Sequence, residues 1–120
     1  MIIGSISENK ELEKRISITP DIVRKYVASG FQILLEAGYG SHLGISDEEF
    51  LKEDCKIEKK ENILKKSDIV LQLNLPEEKN IEFFEENKIL IGSFNSGQNL
   101  ETIAKFKSKK TSIFSLELLP

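Results

Sequence analysis

Three places in this 120-residue chain put polar groups directly after an apolar run: Arg15 follows the first, Gln72-Leu73-Asn74-Leu75-Pro76 the third, and Ser93-Phe94-Asn95-Ser96-Gly97-Gln98-Asn99 the fourth. One cation with several amides and hydroxyls suits a polar ligand that carries a carboxylate or phosphate; the set offers no general base of suitable pKa. Arginine is scarce, with fifteen lysines against only Arg15 and Arg24. A guanidinium presents a rigid bidentate fork that an ammonium cannot copy, which gives Arg15 a reason to be arginine. Asn74, Ser93 and Asn99 have a second reading, as groups that close loops and cap helices. Gly92 to Gly97, beside Asn99, has the makings of an anion cradle but matches neither the Walker pattern nor GxGxxG.

Other reactive residue types read as structural. Gly38-Tyr39-Gly40 is a turn, and His42, the single histidine, has no acidic or thiol neighbour to make it catalytic, so it is expected to pack within that loop. Cys55 is alone, forms no internal disulfide and lacks a second ligand at metal spacing; it reads as a small hydrophobe in a protein of a reducing compartment. No metal site is expected.

The elements that must position these groups follow from apolar patterning. Runs at Ile2 to Ile6, Gln32 to Glu36, Ile69 to Leu73, Lys88 to Gly92 and Thr111 to Leu116 are near-continuous Ile, Leu and Val. Such runs read as strands buried on both faces of a parallel sheet. Helix signals lie between them. Thr19 and Pro20 open a first helix with an Ile22, Val23, Tyr26 and Val27 stripe, Arg24 on its solvent face and Gly30 as a left-handed stop. Ser46 and Glu49 form a capping box for a helix to about Glu53. Further helices are predicted over Asn62 to Lys66, over Glu78 to Glu86 with Ile81, Phe83 and Phe84 inward, and after Asn99 with Leu100, Ile103, Ala104 and Phe106. Lys56 to Lys60 reads as solvated surface. The predicted fold is α/β and three-layered: a mostly parallel five-stranded sheet with helices on both faces, Rossmann- or flavodoxin-like, without the GxGxxG fingerprint. With every parallel strand end on one edge, Arg15, Asn74 and the Ser93 to Asn99 segment share that edge.

Composition narrows the function classes. Hydrophobic residues at 39% and charged residues at 31% describe a folding domain. A net charge of -3 leaves no footprint for nucleic acid. No apolar run nears the ~20 residues of a membrane span, and the start lacks a signal peptide's basic and apolar regions.

Taken together, Ile2-Ile3-Gly4, Lys14-Arg15-Ile16-Ser17-Ile18-Thr19-Pro20, Gly30-Phe31, Glu36-Ala37-Gly38-Tyr39-Gly40, Ser46-Asp47, Asp68 to Pro76 and Gln98-Asn99 carry a family likeness over essentially all 120 residues. The chain resembles the N-terminal domain shared by alanine dehydrogenase and the alpha subunit of proton-translocating NAD(P) transhydrogenase. The resemblance implies that residues 1–120 are the first segment of a catalytic-type domain, truncated before a separate NAD-binding Rossmann domain that carries the fingerprint. It implies NAD as cofactor, held mainly by that second domain, and Arg15, Asn74 and Gln98 as cofactor-binding or cleft-lining groups, with no catalytic residue in this segment. Alanine dehydrogenases of the family hold the substrate carboxylate with an arginine matching Arg15, a lysine at the position of Asn74 and a histidine near Asn95. Asparagine at both positions tilts the reading to the transhydrogenase, which moves hydride from NADH to NADP and needs no substrate acid or base. The implied setting is a cytoplasmic homodimer, peripheral at the inner membrane through NADP-binding and membrane subunits. The alternatives are an alanine dehydrogenase half and a standalone non-catalytic interaction domain.

Overall fold

The computed structural model describes residues 1–92 and 100–115. Six strands form one parallel sheet: β1 Ile2–Ser5, β2 Gln32–Leu35, β3 Lys56–Ile57, β4 Ile69–Leu71, β5 Ile89–Gly92 and β6 Ser112–Ser115. Their order is β3-β2-β1-β4-β5-β6, so consecutive strands run outward from β1 in one direction and then restart on its other side. The order reverses between β1 and β4, the position at which open α/β sheets gather ligands.

Among the described residues the α-helices are α1 Pro20–Ala28, α2 Asp47–Leu51, α3 Lys60–Lys66 and α4 Leu100–Ser108. Alternate strand residues feed two cores. Ile3, Ile33 and Leu35 meet Val23 of α1 and Phe50 of α2 on one face. Leu34, Val70 and Leu90 meet Ile63 and Leu64 of α3, Phe84 and Phe106 of α4 on the other, which completes three layers. Gly4 permits the close approach of α3 to β1, since a Cβ there would lie 2.0 Å from Ser67 Oγ. Lys88, buried at the start of β5, donates to Lys65 O and Ser67 O, both at 2.5 Å, and so closes the carbonyl end of α3.

Local chemistry sets the helix ends much as expected. Thr19 Oγ1 accepts from Ile22 N at 3.3 Å and Pro20 opens α1, while Gly30 has φ +98° just beyond it. Ser46 and Glu49 make both bonds of the capping box on α2. The sheet has six strands where the patterning implies five. The additional one, β3, lies in the charged run read as solvated surface: it is an edge strand of two residues, too short to show a period, and only Ile57 packs inward. The segment expected to be a helix over Glu78 to Glu86 is a 3-10 helix over Glu78–Phe83. Its bonds span three residues, as in Phe84 N to Ile81 O at 3.0 Å, and the edge-on packing of Phe84 on Phe106 at 4.9 Å sets its path rather than helical propensity. Helix α2 ends at Leu51, short of Glu53, and α3 starts at Lys60, ahead of Asn62. No helix among the described residues is long and apolar enough to cross a membrane.

Candidate functional site

The carboxyl ends of β1 and β4 face each other across the switch point, and one side chain joins them. Gln72, buried just after β4, accepts from Ile6 N through Oε1 at 2.7 Å and donates to Ile6 O through Nε2 at 3.1 Å. Backbone register between these strands covers only Ile3–Ile69 and Gly4–Val70, so the carboxamide acts as a surrogate peptide group that extends the ladder. Ser5 Oγ adds a bond to Leu71 O at 2.5 Å. With its proton committed there, Ser5 receives the Tyr39 hydroxyl at 2.8 Å, and Tyr39 in turn accepts from Ser17 N at 3.2 Å. Burial pushes the Tyr39 phenol up, which keeps it a neutral relay in this chain.

Residues 6–19 connect β1 to α1 and hold the sequence-predicted arginine. Six hydrogen bonds, three on each side, fix this loop. Glu8 Oε2 accepts from Leu73 N and Gln72 Nε2, both at 2.8 Å, and Oε1 accepts from Asn74 N at 3.3 Å. On the opposite side Glu36 accepts from Ser7 N at 2.8 Å, Lys10 donates to Gly38 O at 2.6 Å, and His42 Nε2 donates to Lys14 O at 2.9 Å. His42 is therefore a loop-packing residue. Burial raises the Glu8 carboxyl above its ordinary range against the opposing pull of its backbone donors. With its lone pairs facing three N–H groups, Glu8 positions the loop.

The loop delivers Arg15 to the strand-end edge, 71% exposed, where Glu13 grips it: Nε to Oε2 and Nη2 to Oε1 are both 3.0 Å. Asn74 Nδ2 donates to the same Glu13 Oε1 at 3.1 Å. The hydrogen bonds from Arg15 hold the Glu13 carboxyl at about 2. The edge thus brings Arg15 and Asn74 together on one carboxylate. Gln98, with Asn95 and Asn99 and most of the Gly92 to Gly97 segment, lies outside the described residues. Arg24 is on the exposed face of α1, 3.0 Å from Asp21 and 3.9 Å from Glu53.

Beside this cluster opens a cleft of about 420 Å³, lined by Ser7, Glu8, Glu13, Lys60, Gln72 and Asn74. A smaller hollow of about 250 Å³, lined by Ile16, Tyr26, Leu71, Leu73 and Ile91, lies at the ends of β4 and β5. The larger cleft offers amides, carboxylates and the ammonium of Lys60. At the switch point, where a glycine-rich turn would present N–H groups to the diphosphate of a dinucleotide, stands Glu8, whose carboxylate repels phosphate. Among the described residues no group of three or more His, Cys, Asp or Glu side chains is placed to hold a metal ion. Cys55 is buried at 4% exposure, with burial pushing its thiol up to about 11, which makes it an unreactive packing group.

Glu8 and Glu13 had no signal in patterning. The two carboxylates sit in a charged turn without periodicity, and the strand-end groups they meet lie more than sixty residues away: 65 for Glu8 to Leu73 and 61 for Glu13 to Asn74. Gln72 stood out as a polar residue at a strand end, but nothing in the sequence pairs it with Ile6.

Comparison with known proteins agrees with this architecture. Residues 4–120 match the family described as alanine dehydrogenase/PNT, N-terminal domain. The chain is 29% identical over 107 residues to alanine dehydrogenase 1 of Staphylococcus aureus, covering 89% of this chain and 28% of that protein. It is also 29% identical over 120 residues to NAD(P) transhydrogenase subunit alpha of Haemophilus influenzae, covering 100% of this chain and 23% of that one. Among solved structures, the transhydrogenase from Sinorhizobium meliloti superposes with a TM-score of 0.91 at 24% identity, over 100% of this chain and 36% of that chain. An L-alanine dehydrogenase superposes with a TM-score of 0.88 at 17% identity, over 96% of this chain and 32% of that chain. The chain therefore spans between 23% and 36% of the length of these proteins, and its Rossmann-like sheet is theirs. It belongs to the alanine dehydrogenase/PNT N-terminal domain family.

Proposed function

We propose that this chain is the N-terminal part of the NAD(H)-binding component of a proton-translocating NAD(P) transhydrogenase, which passes hydride between NADH and NADP. In this reading residues 1–120 shape one wall of the cleft, the dinucleotide is held mainly by a Rossmann domain elsewhere in the protein, and Arg15, Asn74 and Gln98 line the ligand side. The carrying observation is the strand-end edge itself: Arg15 and the amide of Asn74 converge on it, while Glu8 is committed to holding the loop and His42 faces Lys14 O. Such an edge can orient a polar group, and the two carboxylates that the described residues bring to it, Glu8 and Glu13, are both engaged within the chain. Hydride transfer between two nicotinamides needs neither acid nor base, whereas reduction of a 2-oxo acid to an amino acid needs a proton donor. NADP-binding and membrane subunits as partners, a homodimeric state and a cytoplasmic position at the inner membrane belong to the same proposal.

The alanine dehydrogenase reading draws support from Arg15 at an edge where a carboxylate is held, and from the Staphylococcus aureus relative. One pair of assays on the full-length protein separates the two. Transhydrogenation from NADH to an NADP analogue is expected, with alanine-dependent reduction of NAD absent; the reverse pattern refutes the transhydrogenase. Arg15→Lys is expected to lower kcat/KM by about tenfold or more through loss of the bidentate fork, with thermal stability unchanged. Unaltered kinetics would remove Arg15 from the site.

A further inference from the structure

Arg15 and Asn74 meet on a carboxylate, and it is the chain's own. Glu13 receives Arg15 Nε and Nη2 at 3.0 Å, Arg15 N at 3.2 Å and Asn74 Nδ2 at 3.1 Å. Its side chain is 12% exposed while that of Arg15 is 71% exposed, so the carboxylate is seated against the protein and the guanidinium closes over it from the solvent side. We propose that Glu13 is a specificity-determining residue: an internal carboxylate that occupies the Arg15–Asn74 pair and keeps lone anions out until a ligand with further contacts displaces it. This deepens the proposed function and rests on its reading of Arg15 and Asn74 as ligand-side groups.

The geometry sets up a competition. Glu13 takes the Nε/Nη2 edge of the Arg15 fork, and its Oε1, held by Nη2, also takes one of the two N–H groups of Asn74 Nδ2. An anion that takes the same edge and the same Asn74 N–H must take the place of Glu13. The contact it breaks is an ion pair with an exposed partner two residues away, a class of interaction that is weak in water. Displacement is therefore easy for a ligand anchored elsewhere in the cleft and unfavourable for a simple anion, which gains one pair only by losing an equivalent one. Glu8, the other carboxylate of the cleft, adds repulsion to any unanchored anion.

The probe is acetate, titrated into the purified protein at constant ionic strength with chloride as the balancing anion and followed by the backbone amide resonances of residues 15 and 74, which every variant retains. Wild-type protein is expected to show little response. Glu13→Gln and Glu13→Ala, both checked for an unchanged melting temperature, are expected to bind acetate at least about fivefold more tightly, which corresponds to ~1 kcal/mol. Asn74→Ala in the Glu13→Gln background is expected to abolish that gain. Equal acetate affinity in wild type and both Glu13 variants, with the binding still lost in Arg15→Met, would overturn the role of Glu13 and leave Arg15 as a ligand group. Acetate responses indifferent to Arg15→Met in every background would overturn both the inference and the assignment of Arg15 on which it rests.

Discussion

Replacing Gln72 with leucine tests whether one side-chain amide holds the switch point together. The substitution keeps the volume nearly constant and removes the pair of bonds to Ile6 N and Ile6 O together with the bond to Glu8. Each buried backbone group left without a partner costs about 1–3 kcal/mol. The apolar side chain returns about 1 kcal/mol by removing a polar group from a site that is 3% exposed. With two such groups, the net expected loss is ~1–5 kcal/mol. At about 4 °C per kcal/mol for a domain of this size, the melting temperature should fall by roughly 4–20 °C. Urea unfolding gives the free energy directly, and amide hydrogen exchange should show faster opening at residues 6–16 than in the helices. A loss below about 1 kcal/mol with an unchanged denaturant slope would refute the reasoning, since the ladder would then close without the carboxamide.

Acid should act on the two cleft carboxylates with opposite sign. Glu13, held at about 2 by Arg15, contributes stability that is complete above its ordinary pKa of 4.5 and lost as pH falls toward 2. With Arg15 exposed that contribution is limited to about 1 kcal/mol, and Glu13→Gln should flatten the acid limb of a urea-midpoint profile; an identical limb would refute the pairing. Glu8 is raised by burial, so its contribution is complete below 4.5 and fades as pH rises through its higher folded value, a decline that Glu8→Gln should remove from the same profile. Gly4→Ala places a methyl group 2.0 Å from Ser67 Oγ and 2.6 Å from Ile63 Cγ2. An expected loss of ~2–3 kcal/mol follows from overpacking, and an unchanged melting temperature would show that α3 yields freely.

Much of the sheet was legible because buried parallel strands leave unmixed apolar runs, as at Ile2–Ser5, Gln32–Leu35 and Ile89–Gly92. Helix ends were legible where the capping group is local, as with Thr19 and the Ser46–Glu49 pair. Strand β3 was hidden by its two-residue length, and the 3-10 helix at Glu78–Phe83 by long-range packing of Phe84. Arg15 could be placed at the strand-end edge from its position after β1. The carboxylate it shares with Asn74 could not, because a charge in a polar turn has no periodicity and Glu13 meets Asn74 only when strands remote in sequence come together.

The order of the strands also governs how the edge comes into being. Residues 2–57 supply β1, β2 and β3, residues 69–115 supply β4, β5 and β6, and the sheet joins these two sets only where β1 meets β4. Contacts at that seam, such as Gln72 with Ile6, close a span of 66 residues, whereas each half is built from shorter connections. Chain-closure entropy makes such long-range contacts slow to form, so the seam should assemble late in folding. Arg15 comes from one half and Asn74 from the other, so their shared edge exists only in the fully assembled chain. A ligand bound across it would draw on the global folding equilibrium, and its presence would be read as a higher midpoint for the entire molecule.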